Sequence, residues 1–157
     1  MAFRELIDSL AEKVGLKDGI EIDEENRCLV EFDGMGVVIQ GNDDLKMLSL
    51  LSPLGEPPPE RLEELYRALL EANHLFGGTF GATLSLDPSR GWVHLCKNLP
   101  YAAQDGETLV GELENFMNTV ERWCAYVKNF RASAASAADA DAEGVAESSL
   151  DDAFLRV

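Results

Sequence analysis

Large apolar side chains open the chain at Phe3, Leu6, Ile7, Leu10 and Val14, three or four residues apart, with Glu5, Asp8 and Glu12 between them. That spacing predicts an amphipathic first helix, and Gly15 supplies its stop. From Ile20 the period becomes two: Cys28, Val30 and Phe32 alternate with Arg27, Leu29 and Glu31, and after Asp33-Gly34 the alternation resumes at Met35, Val37 and Ile39. Two strands joined by a two-residue turn give this pattern. The polar turn GNDD leads to LKMLSLL, whose length suits a third strand and whose leucine content also suits a helix.

SPLGEPPP, residues 52 to 59, reads as a connector, because successive prolines lack backbone donors and hold the chain extended. Pro-Pro-Glu then opens a second helix with Leu62, Leu65, Tyr66 and Leu69 along one face, closed at Gly77-Gly78. Phe80, Ala82, Leu84 and Leu86 alternate with Thr79, Gly81, Thr83 and Ser85 up to the turn DPSRG, and Trp92 to Lys97 returns as a partner strand. Leu109, Leu113, Phe116, Met117, Val120, Cys124 and Val127 mark a long last helix ending near Phe130. Residues 131 to 157 are built from Ala, Ser and acidic residues and are expected to form a disordered tail; the alternative is that alanine carries the helix on for a few turns.

Composition narrows the function. The chain of 157 residues, 46% hydrophobic, is long enough for one domain with its own core. Its net charge of −16 disfavours nucleic acid and anionic lipid as partners. Cys28, Cys96 and Cys124 are odd in number and far apart, so neither a disulfide framework nor a zinc site is signalled. The first helix carries charges that a signal peptide would not, and no run reaches the ~18 apolar residues of a membrane span, so a cytoplasmic protein is expected.

Catalytic constellations fail one by one. His74 and His94, the only histidines, have no Cys or acid at ligand spacing. GGTFG, residues 77 to 81, follows a helix and precedes a strand, the reverse of a phosphate loop. DADAEG, from Asp139, begins like a calcium loop, but its twelfth position is Leu150 rather than an acid. Carboxylate pairs are inevitable among 29 Asp and Glu residues and say nothing about acid–base work. Neither an enzyme, a metal site nor a cofactor is expected.

The segment LYRALLEANHLFGGTFGATLSLDPSRGWVHLCKNLP, residues 65 to 100, resembles the central signature of the class I type III secretion chaperones, the Tir chaperone family. The proline-bearing LSPLGEPP, residues 51 to 58, and LENFMNTVERW, residues 113 to 123, are similar to that family's connector and last helix. The resemblance covers residues 1 to 130 and leaves the tail unexplained. It implies an α+β fold in the order helix, three strands, helix, two strands, helix, with an antiparallel twisted sheet flanked by helices. It also implies a homodimer in the bacterial cytoplasm that holds the N-terminal segment of a secreted effector in an extended, non-globular form, without ATP hydrolysis, and delivers it to the secretion apparatus. A binding or regulatory module of the same fold, unrelated to secretion, is the alternative.

On that resemblance, Phe3, Leu6, Ile7 and Leu10 with Val30, Phe32, Val37 and Ile39 are the effector-binding candidates, although residues at these spacings are more often core. Leu65, Tyr66, Leu69, Phe80, Ala82 and Leu84 are the dimer-interface candidates. Trp92 and His94, on one face of their strand, are candidates for the border of a client groove. An extended client would add a strand to a sheet edge and place its side chains in pockets beside it.

Overall fold

A computed structural model describes the backbone of residues 2–154 and the side chains of residues 2–139. Helix α1 (Phe3–Lys13) is followed by strands β1 (Arg27–Phe32), β2 (Met35–Asn42) and β3 (Met47–Gly55), helix α2 (Leu62–Asn73), strands β4 (Thr83–Leu86) and β5 (Val93–Pro100), and helix α3 (Gly106–Phe154). The five strands form one antiparallel sheet in the order β1-β2-β3-β5-β4. The ambiguous leucine run is therefore a strand, paired on both sides.

Alternation gives the sheet two unlike faces. Cys28, Val37, Ile39, Leu48, Leu50 and Leu95 point to one side and are buried with Phe3, Leu6, Ile7 and Leu10 of α1 and Leu109, Leu113, Phe116 and Val120 of α3. Gly41 on β2 makes room for α1: a Cβ there would stand 2.2 Å from the Phe3 ring. The N-terminus of α1 is also held by the Phe3 amide, which donates to Asp43 in the β2–β3 turn at 3.1 Å. Helix α3 starts against α1, where a Cβ on Gly106 would meet the Ser9 carbonyl oxygen at 2.7 Å. Asp105 precedes it as a cap, accepting from the Thr108 amide at 2.8 Å.

Three expectations change. Residues 52 to 55 continue β3 instead of opening a connector, with the register shifting between Pro53 and Gly55. Pro53 has no N–H to give, and the Ser52 hydroxyl donates to the Gly36 carbonyl of β2 at 2.7 Å, supplying a bond at the point where the ladder ends. The strand expected from Thr79 begins at Thr83, because residues 74 to 82 form a short 3-10 turn (His74–Phe76) and a tight loop. Helix α3 does not stop near Phe130. Its backbone runs to Phe154, following the alanine-rich alternative, with Ala134 buried and Arg131 paired with Glu56 at 3.0 Å. Leu150, Phe154 and Leu155 lie outside the residues whose side chains are described.

Candidate functional site

The two edges of the sheet differ. In the β1–β2 hairpin the two-residue turn Asp33-Gly34 makes Phe32 and Met35 partners, so Phe32, Val30 and Cys28 exchange hydrogen bonds with β2 while Leu29 and Glu31 turn their backbone groups outward. Two bonds outside the ladder agree with this phase: the Gly41 amide donates to the Asn26 carbonyl, and the Asp23 amide donates to the outward Arg27 carbonyl, each at 2.8 Å. Among the described residues no backbone hydrogen bond outside the ladder reaches Leu29 or Glu31, and both side chains are exposed. At the opposite edge, the Asn73 side chain behaves as a one-residue strand. Its Nδ2 donates to the Leu84 carbonyl at 3.1 Å and its Oδ1 accepts from the Leu84 amide at 2.8 Å, closing the middle of β4.

Apolar surface flanks the open edge on both sides. On the face away from the helices, the cross-strand row Leu29, Val38, Leu51, Cys96 and Thr83 crosses all five strands. Leu29 is 67% exposed, and Val38, Leu51 and Cys96 are half-buried. A cleft of about 560 Å³ lies along this row beside Asp23 and Arg27. On the helix side, a cleft of about 380 Å³ opens between α1, the tip of the β1–β2 hairpin and α3. Its floor is Leu10, Val14, Phe32, Val110, Leu113 and Met117, and its rim is Asp33, Glu114 and Asn118.

A second apolar surface lies on α2 and the loop after it. Leu62 and Tyr66 are half-buried, Leu70 is exposed, and Leu75, Phe76 and Phe80 are 84%, 53% and 60% exposed. Leu75, Phe76 and Phe80 hold φ of 52°, 56° and 52°, a left-handed conformation unusual for such side chains. The loop is pinned by the Trp123 indole, which donates to the Gly78 carbonyl at 2.9 Å, and by Arg122, whose guanidinium lies 4.7 Å over the Phe80 ring.

The sequence candidates divide accordingly. Phe3, Leu6, Ile7, Leu10, Val37 and Ile39 are core, and of these Leu10 also reaches the helix-side cleft. Val30 and Phe32 are half-buried on β1, with Phe32 in the same cleft. Leu65, Leu69, Ala82 and Leu84 are buried within this chain, whereas Tyr66 and Phe80 reach the apolar surface of α2 and its loop. His94 is half-buried on the open sheet face, and Trp92 is exposed just before β5. Leu29, Val38, Leu51, Leu70, Leu75 and Phe76 were not singled out by periodicity. The available signal was a large apolar residue at a position in polar phase, as at Leu29 between Arg27 and Glu31.

Burial, reinforced by Asp23, pushes the Cys28 thiol up to about 11, and burial raises Cys124 as well, which suppresses the reactive thiolate. Burial near Asp43 pushes Tyr101 up to about 12. Among the described residues no cluster of His, Cys, Asp and Glu could hold a metal ion, and no helix is long and apolar enough to cross a membrane.

The Tir chaperone protein (CesT) family matches residues 5–124. The fold is similar to a chain of the HopA1–SchA chaperone–effector complex, with a TM-score of 0.66 at 19% identity over 78% of this chain and 93% of that one. It is similar to a chain of the ExsC–ExsE complex, with a TM-score of 0.65 at 24% identity over 80% and 92%. It is also similar to a chain in the complex of the Yersinia pestis type III secretion chaperone SycH with a fragment of YscM2, with a TM-score of 0.61 at 22% identity over 77% and 98%. No curated protein matches the sequence.

Proposed function

The chain belongs to the Tir chaperone (CesT) family, a family of chaperones and not of enzymes, and from that premise we propose that it binds the N-terminal region of a type III secreted effector in an extended, non-globular form. It keeps that segment competent for secretion as a homodimer in the bacterial cytoplasm, without ATP hydrolysis. The observation that carries this reading is the open edge of β1 with apolar clefts on both sides. A strand laid against Leu29 and Glu31 gains backbone hydrogen bonds whatever its sequence, and its alternating side chains fall toward the open sheet face and toward the helix-side cleft. Of the early candidates, Leu10 and Phe32 stand where such a client reaches, and Leu29 joins them.

Proline at position 31 tests the edge. The Glu31 amide points away from β2, so Glu31→Pro removes a donor the folded chain does not use while denying it to an incoming strand. The variant is expected to melt within about 2 °C of the parent and to lose the effector that co-purifies with the tagged parent from its native cell. Undiminished co-purification takes β1 out of the client site.

The apolar surface of Tyr66, Leu70, Leu75, Phe76 and Phe80 is the proposed dimer contact. Light scattering is expected to give about twice the chain mass of 17.2 kDa, and Leu70→Asp to return it to the monomer value with the helical circular dichroism retained. A monomeric parent protein refutes the dimer.

A further inference from the structure

We infer that the helix-side cleft selects a client segment in which a large aliphatic or aromatic residue is accompanied, a few positions away, by Lys or Arg. This rests on the chaperone reading and specifies what the client carries. The floor of the cleft is wholly apolar, with the unbranched, adaptable Met117 beside Phe32 and Val110, and its volume of about 380 Å³ accommodates a large side chain. The rim is one-signed: Asp33 at the hairpin tip and Glu114 on α3 are both exposed, and among the described residues no Lys or Arg lines the cleft.

Neither rim carboxylate forms an ion pair among the described residues. Lys13, near the same end of α1, pairs with Glu107 at 3.8 Å, and Lys97 pairs with Glu112 at 2.7 Å. An apolar anchor with an acidic neighbour would therefore meet repulsion on the rim, and one with a basic neighbour would meet two free counter-charges. Phe32 belongs both to β1 and to the cleft, so a client strand on the open edge leads directly to this anchor point.

Selection of short random peptides on the intact chain, followed by affinity measurement at low and high salt, decides the matter. The parent is expected to enrich Leu, Ile, Phe or Met accompanied by Lys or Arg, and high salt to weaken these peptides. Neutralising both rim groups as Asp33→Asn with Glu114→Gln is expected to cost about fivefold in affinity, the scale of two exposed ion pairs. Reversing them as Asp33→Lys with Glu114→Lys is expected to turn the enrichment toward Asp and Glu. Both residues are exposed, and Asn suits the left-handed backbone at Asp33 (φ 50°) better than Lys does, so a circular dichroism melt verifies that each variant folds before its peptides are compared.

Selected peptides without basic residues, or the same basic preference in the reversed variant, overturn the inference. The effector can still co-purify with the parent in either case, which leaves the chaperone reading standing. Loss of that effector by Glu31→Pro bears on the edge and not on the charge of the rim.

Discussion

Single residues set the close approaches on which the two layers depend. Gly41 is the sharpest case: with no Cβ, it lets the Phe3 ring lie on β2 and seats the first turn of α1 on the sheet. Gly41→Ala forces that ring or the strand to move, and urea denaturation is expected to show a loss of about 1–3 kcal/mol. Asp105 governs the start of α3. Its carboxylate accepts from the Thr108 amide and hydroxyl, and these bonds hold the carboxyl below its usual value. A carboxyl whose folded pKa is depressed stabilises the fold fully above its unfolded value of about 3.9, and that contribution is lost as pH falls through the folded value. Asp105→Ala is expected to lower the melting temperature at neutral pH by about 2–4 °C. Asp105→Asn, which keeps an acceptor without a charge, should instead make the acid limb of the melting profile shallower.

At the scale of elements, much was legible because period reports burial directly. The three- and four-residue spacing of α1 and the alternation in β1 and β2 correspond to side chains that are buried on one face. The misread segments are those where a non-local bond replaces a local rule. Pro53 stays in β3 because a register shift and the Ser52 hydroxyl accommodate it, and no residue nearby announces either. Leu75, Phe76 and Phe80 take left-handed φ without being Gly or Asn, held by a tryptophan 45 residues away from its partner Gly78. Trp123→Phe keeps an aromatic ring, though a smaller one, and removes that bond, so proteolysis is expected to cut residues 74 to 82 faster than in the parent protein. The site was less legible than the fold. Periodicity marks the buried face, whereas the proposed client surface includes positions such as Leu29 that the same periodicity assigns to solvent.

For the molecule as a whole, the body extends slightly past the residues that resemble the family. Arg131 reaches Glu56, and Ala134 is buried, so the helix is still in contact with the rest of the chain one turn beyond Phe130. Truncation after Asp139 is expected to leave the melting temperature unchanged, and truncation after Phe130 to lower it by about 2 °C. The unlike edges of the sheet bear on a different property, its valence. A sheet with one live edge and one dead edge, where Asn73 occupies Leu84, takes up added strands from one side alone. On the proposed reading a client strand therefore finds one docking side per chain, and the protein cannot bridge two clients through opposite edges of one sheet.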